Sequence, residues 1–151
     1  VGAYPEPHPE SPGTSSDVAW LRRKVAAGAS SAITQFFFSP DIYFRFRDAA
    51  VAAGVDVPII PGIMPVNSWK GVRGFAARCG ASVPASLDAR FSAAVEAGRE
   101  ATFAVEQCTE LCEALIAGGV EDLHFYTLNR PQLTQQVCAN LGIRPAAESA
   151  A

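Results

Sequence analysis

Gly28, Gly54 and Gly119 each stand five residues before the centre of an apolar run, at Ile33, Ile59 and His124. Glycine just after a helical pattern is a stop signal, because it enters left-handed backbone without a Cβ clash. The unit helix, Gly, short link, strand therefore occurs three times. A new helix start follows each strand, at Ser39–Pro40, Ser68–Trp69 and Arg130–Pro131. Ser suits an N-cap and Pro suits the first helical turn. Strands that alternate with helices imply a parallel sheet joined by right-handed crossovers. A small doubly wound sheet and half of a (β/α)8 barrel fit this α/β pattern equally well. The 151 residues are too few for a complete barrel, which takes about 250.

The periodicity predicts a first helix after Ser16–Asp17, with Val18, Leu21 and Val25 on its buried face. A second spans Pro40 to Ala53 and buries Tyr43, Phe44, Phe46, Ala50 and Val51. Further helices are expected over Trp69 to Arg78, over Ala85 to Phe91, over Glu96 to Ala117, and from Pro131 to Leu141 with a stop at Gly142. Val1 to Tyr4 reads as another strand. Residues 1–144 form one partial domain on this reading. The Ala-rich tail, 145–151, has too few large apolar residues to pack and is expected to be disordered.

Composition excludes some classes. A formal net charge of −3 is unlike the basic face of a nucleic-acid binder, so no nucleic-acid partner is expected. No apolar run approaches the ~18 residues of a membrane span, and the polar, Pro-rich start does not read as a secretory leader. Cys79, Cys108, Cys112 and Cys138 lie in or beside apolar helical patterns. That is the usage of a reducing compartment, so a cytoplasmic location is expected. Cys108 and Cys112 share a helix face, yet no His or acidic partner completes a ligand pattern, and no metal is expected.

Polar residues at the ends of apolar strands are the candidates for a site, because parallel α/β proteins bind ligands at the C-terminal ends of their strands. Thr127, Asn129 and Arg130 close the run from Asp122 in this way, and Gln35 sits within Ala32–Phe38. A primary amide among Ile and Phe must find partners, since leaving it unsatisfied costs roughly 1–3 kcal/mol. Either a neighbouring backbone or a ligand supplies them. Its spacing puts Gln35 on the face of Ile33 and Phe37. After the first strand, Pro5, Pro7 and Pro9 stiffen a loop that presents Tyr4, Glu6 and His8. Asp17 and the cations Arg22, Arg23 and Lys24 follow on the next helix; they suit a phosphate or pyrophosphate, or simply a solvated face. Pro61–Gly62 breaks a strand, either as a bulge or to let a ligand approach the backbone. Phe75 reads as core before it reads as a stacking platform, and His124 as a hydrogen-bonded core residue.

Ala3–Glu10, Ile33–Phe38, Ile60–Ile63 and His124–Arg130, in that order, closely resemble the methylenetetrahydrofolate reductase family, and the similarity runs from Ala3 to about Arg144. The resemblance implies a (β/α)8 TIM barrel of which this chain is the second half, strands five to eight. It implies FAD as cofactor, NADH or NADPH as electron donor, and reduction of methylenetetrahydrofolate to methyltetrahydrofolate by a ping-pong mechanism. Tyr4, His8, Asp17, Arg23 and Lys24 fall at the family's FAD contacts. Gln35, Phe75 and Arg130 fall at its substrate contacts. Trp20 and Gly71 depart from polar contacts of some relatives. The family's proton-donating glutamate belongs to the first barrel half, so no catalytic residue is expected in this chain, which alone would be inactive. A homo-oligomer is expected for the full-length protein. The rival expectation is a non-catalytic flavin- or folate-binding half-barrel that self-associates.

Overall fold

The computed structural model describes residues 1–144, so the tail expected at 145–151 lies outside the described residues. Elements follow in the order β1 (Gly2–Ala3), α1 (Thr14–Ala26), β2 (Ala32–Thr34), α2 (Pro40–Ala52), β3 (Ile59–Ile60), β4 (Gly62–Ile63), α3 (Trp69–Cys79), α4 (Ala85–Glu96), α5 (Glu100–Ala117), β5 (His124–Phe125) and α6 (Pro131–Asn140). All pairings are parallel, with β1 beside β2, β2 beside β3, and β4 beside β5. Neighbours run in chain order with no reversal. A doubly wound sheet has a switch point where the order reverses, so the consecutive order is consistent with an arc of a barrel.

The three glycine stops adopt left-handed backbone, with φ of 105° at Gly28, 86° at Gly54 and 86° at Gly119. Two paired hydrogen bonds close each helix end. At Gly54, for example, its N–H donates to Val51 O and that of Val55 donates to Ala50 O. These are the paired bonds of a glycine C-cap, which satisfy carbonyls the helix leaves unpaired.

Several boundaries differ from the sequence expectation. α1 begins at Thr14 rather than after Asp17, because Gly13 is its N-cap and Asp17 faces the preceding loop. α4 continues to Glu96, and α5 begins only at Glu100. Gly98, at φ 67°, separates the two helices. Ser39 and Ser68 precede α2 and α3 but make no side-chain cap bond. Instead the Trp69 N–H at the start of α3 donates to the Glu100 carboxylate, and the Trp69 indole N–H donates to Asp88 at 2.8 Å. Val51, expected in the core, is 59% exposed, and Ile42 is buried in its place.

The core has three parts. Val18 and Leu21 of α1 pack with Phe46 and Ala50 of α2 beneath β1 and β2. Phe37, Ile42, Tyr43 and Ile63 meet Leu111, Cys112, Leu115 and Val137 of α5 and α6. Phe36, Phe38, Trp69, Phe91 and Phe103 form an aromatic cluster at the strand ends, in which the Trp69 and Phe91 rings stack with centroids 4.1 Å apart. Flat and edge-on contacts of this kind add to area burial.

Candidate functional site

β2 ends at Thr34, so Gln35 lies just past the strand and not within it. Ile33 and Gln35 are half-buried, whereas Phe37 is fully buried against Tyr43. The strict alternation expected for these three fails because the backbone leaves the strand before Phe37. The Gln35 carbonyl accepts a bond from the Phe36 N–H at 3.1 Å. Backbone therefore satisfies the acceptor end of the amide, and its NH2 donates to none of the described residues.

Pro61 splits the central strand into β3 and β4, and its carbonyl accepts from the His124 N–H. Gly62 is in close contact, but with protein. A Cβ there would collide with the Thr34 carbonyl and lie 2.6 Å from the Tyr126 ring. The Gly62 N–H donates to Thr34 Oγ1 at 2.9 Å, and Tyr126 Oη donates to Thr34 O at 2.9 Å. Gly62 thus admits the tyrosine, not a ligand. Burial, and after it the nearby Tyr4, push the Tyr126 hydroxyl above its ordinary range. His124 is not the hydrogen-bonded core residue expected: it is half-buried and meets the Tyr126 ring edge-on at 4.8 Å.

The loop after β1 and helix α1 enclose a cavity of about 320 Å³ lined by Tyr4, His8, Asp17, Trp20 and Lys24. Four of the five residues predicted for the cofactor meet there. Asp17 accepts from the His8 backbone N–H at 3.1 Å, and His8 Nδ1 accepts from the Glu10 N–H at 3.1 Å. With Nδ1 accepting, a neutral imidazole carries its proton on Nε2 and can donate it to a ligand oxygen. The Tyr4 and His8 rings meet edge-on at 4.6 Å. Lys24 Nζ donates to Gly2 O at 2.8 Å, which leaves two further N–H bonds for other acceptors. Arg23 does not line the cavity; its guanidinium lies 4.3 Å from the Trp20 ring, which does. Sequence reasoning set Trp20 aside, yet it forms a wall of the cavity and a cation–π support for Arg23.

Phe75 lies on α3 with its ring stacked on Phe36, centroids 5.5 Å apart and planes 13° from parallel. It is only partly buried, and the Arg78 guanidinium lies over its ring, 5.6 Å from the centroid. Arg130 is exposed and precedes α6. The two residues before it, Leu128 and Asn129, have φ of 49° and 59°. Non-glycine residues in left-handed backbone are strained, and such strain collects at functional turns. Tyr4, His8, Gln35 and Arg130 follow the C-terminal ends of strands, the edge at which ligands bind in such folds, and Phe75 reaches that edge from α3 through its contact with Phe36.

A larger cavity of about 640 Å³ is lined by Thr127, Thr134, Cys138 and Ile143; of the strand-end candidates it includes Thr127, and it includes none of the residues expected to contact FAD or substrate. Among the described residues no group of three or more His, Cys, Asp or Glu is placed to hold a metal ion, and no helix is long and apolar enough to cross a membrane.

Comparison with known proteins identifies the family. Residues 1–142 match the family model described as methylenetetrahydrofolate reductase. The chain is 43% identical over 146 residues to the 5,10-methylenetetrahydrofolate reductase of Escherichia coli K12, covering 96% of this chain and 49% of that protein. It is 38% identical to the protein of the same name from Buchnera aphidicola of Acyrthosiphon pisum, again over 49% of its length. A rice protein named probable methylenetetrahydrofolate reductase (NADH) is 34% identical over 26% of its length. The chain spans about half the length of the bacterial relatives it matches.

Proposed function

The chain belongs to the methylenetetrahydrofolate reductase family, and from that premise we propose that it is strands five to eight of a (β/α)8 barrel in a flavin-dependent reductase. The complete protein would reduce methylenetetrahydrofolate to methyltetrahydrofolate with NADH or NADPH. The observation that carries the reading is the cavity between the β1 loop and α1. Its donors suit the polar half of FAD: an imidazole N–H at His8, a Tyr4 hydroxyl, and an ammonium at Lys24. A volume of about 320 Å³ suits part of a dinucleotide, with the remainder lying along the strand ends. When bound, FAD supplies the hydride relay between nicotinamide and folate.

This chain's own residues bind and orient. Lys24 offsets the charge of a pyrophosphate from within the cavity, and Arg23, stacked on the Trp20 wall, adds a planar fork that can take two phosphate oxygens where they leave it. The Gln35 NH2 is a donor for the folate or the nicotinamide amide. Phe75 offers its ring to whichever of the two is present once the Arg78 guanidinium, which lies over that ring, moves aside. Arg130 pairs with a substrate carboxylate. No residue of this chain is assigned the proton transfer to the folate nitrogen; that role falls to the first barrel half, so the chain alone is inactive on this reading.

FAD titration of the purified protein, followed by flavin fluorescence, tests the proposal. Saturable binding that Arg23→Ala with Lys24→Ala weakens at least about tenfold, the scale of losing charge-assisted bonds, is expected. Equal affinity in the double variant would remove both cations from the cofactor site. The half-exposed β5 favours a second reading, a non-catalytic half-barrel that closes by self-association. Sedimentation separates the two, because a concentration-dependent dimer of the 151-residue chain is expected only for the second.

A further inference from the structure

We propose that Glu6 is a positioning residue: its carboxylate ties the loop presenting Tyr4 and His8 to the end of α3, the helix that carries Phe75. What the loop and the helix bind is taken from the proposed function; the tie itself is not. Pro5, Pro7 and Pro9 lack an N–H, so the loop has few backbone bonds with which to hold itself. It is held from outside at two points. On one side Asp17 of α1 accepts from the His8 N–H. On the other, both Glu6 oxygens accept from the Ser82 N–H, at 3.1 and 3.0 Å, across 76 residues of sequence.

Ser82 lies in the link between α3 and α4, two residues after Gly80. That glycine ends α3 with φ of 73°, and a Cβ on it would stand 3.0 Å from Pro7 O and 3.5 Å from the Pro9 ring. Two independent contacts therefore join the proline loop to the α3 terminus. The opposite end of α3 is fixed by Glu100 and Asp88 through Trp69. A helix held at its start and tied to the loop at its end places Phe75 at a set distance from Tyr4 and His8. Coupling of this kind is reciprocal: a ligand that orders the loop also orders α3, and the converse holds.

The test uses the full-length polypeptide carrying this chain, as wild type, Glu6→Ala, Glu6→Gln and Gly80→Ala. Gln keeps an acceptor oxygen and Ala keeps none. Amide hydrogen exchange is followed separately over 6–13 and 76–84, and FAD affinity by fluorescence. Glu6→Ala is expected to speed exchange in both segments and to weaken FAD about tenfold, the scale of a lost bond to a charged group. Glu6→Gln should recover most of both. Gly80→Ala, which touches no residue of the cofactor cavity, should weaken FAD as well, and it carries the test if Glu6→Ala does not fold. Unchanged exchange over 76–84 in Glu6→Ala, or a Gln variant as impaired as the Ala variant, overturns the tie. If wild type binds no FAD while exchange in the two segments stays coupled, the cofactor reading fails and the tie stands. If FAD binds all variants equally and exchange is uncoupled, the tie fails and the cofactor reading stands.

Discussion

β2 and β5 have similar sequences and dissimilar surroundings. Each is a short apolar strand whose residues turn polar at its C-terminal end. β2 has a partner on both sides, and Ala32, Thr34, Phe36, Phe37 and Phe38 are all buried. β5 pairs only with β4 among the described residues, and His124, Phe125 and Tyr126 are half-buried while Leu128 is 62% exposed. The two strands are alike in hydropathy, so it is what packs around them, and not composition, that sets their burial. An apolar strand with one partner is a strand composed for two, and the proposed first half of a barrel is the neighbour that would cover it.

The largest test of this contrast is a pair of truncations. Phe37→Ala removes a ring that is 1% exposed and is expected to cost about 3–5 kcal/mol in urea unfolding. Phe125→Ala, on the half-covered strand, should cost about half as much in the 151-residue chain by the same reasoning. In the full-length polypeptide the two costs should converge as β5 gains its second partner. A difference that persists there would mean that β5 is a true edge.

The junction between the two sheets is the next place to press. Gly62→Ala forces a methyl onto the Thr34 carbonyl and the Tyr126 ring, and overpacking of this kind costs about 1–3 kcal/mol. Because Tyr126 is displaced first, the loss should appear as faster amide exchange in β5 before β2. Thr34→Val keeps the shape but leaves the Gly62 N–H without its acceptor, a loss of about 1–2 kcal/mol. Exchange that rises first in β2 would place the weak point on the other side of Pro61.

Element order was legible because glycine stops and helix starts act locally. Gly28, Gly54 and Gly119 each need left-handed backbone, and no distant contact has to be known to see it. Boundaries set by distant partners were not legible. α1 begins early because Gly13 is its N-cap, which leaves Asp17 inside the helix and free to accept from His8, and α3 is capped by Glu100, 31 residues away. Tyr4, His8, Asp17 and Lys24 stood out through the proline-stiffened loop and the charged helix start, and the resemblance only gave them a proposed ligand. Trp20, which shares their cavity, was missed because its role depends on Arg23 lying over its ring. Gly62 was recognised as a close approach, but whether to ligand or tyrosine depends on a strand more than 60 residues later. The Glu6 tie left no mark in the spacing, since its partner is a backbone N–H that any residue but proline supplies.

Alkaline pH should loosen the packing behind the half-covered sheet. The Cys108 thiol is held protonated first by its hydrogen bond with Cys112 and then by burial, and Cys138 chiefly by burial. A folded pKa above the unfolded one gives stability that is intact below the ordinary thiol value of 9.0 and lost as pH rises through the folded value. Unfolding free energy should therefore hold steady to about pH 9 and fall beyond it. In Cys108→Ala the fall should be shallower, and an unchanged slope would assign it to other groups. Tyr43, raised mainly by burial despite the opposing Arg47, adds to the decline above its ordinary value of 10.0.

The smallest effect is expected where the half-covered strand ends. Leu128 adopts φ of 49°, a conformation that costs a residue with a Cβ about 1–2 kcal/mol. Its side chain is 62% exposed, so little packing is lost on its removal. Leu128→Gly should then be nearly neutral or raise stability by up to ~1 kcal/mol, after the extra freedom of glycine in the unfolded chain is subtracted. A turn under strain that precedes Arg130 has a use only if it aims that side chain. The same variant, in the full-length polypeptide, should therefore raise KM for methylenetetrahydrofolate while leaving FAD affinity unchanged, because the proposed FAD contacts lie at the other strand ends. A clear loss of stability instead would show that Leu128 already packs against something that covers β5, which would remove the strongest contrast between the two strands.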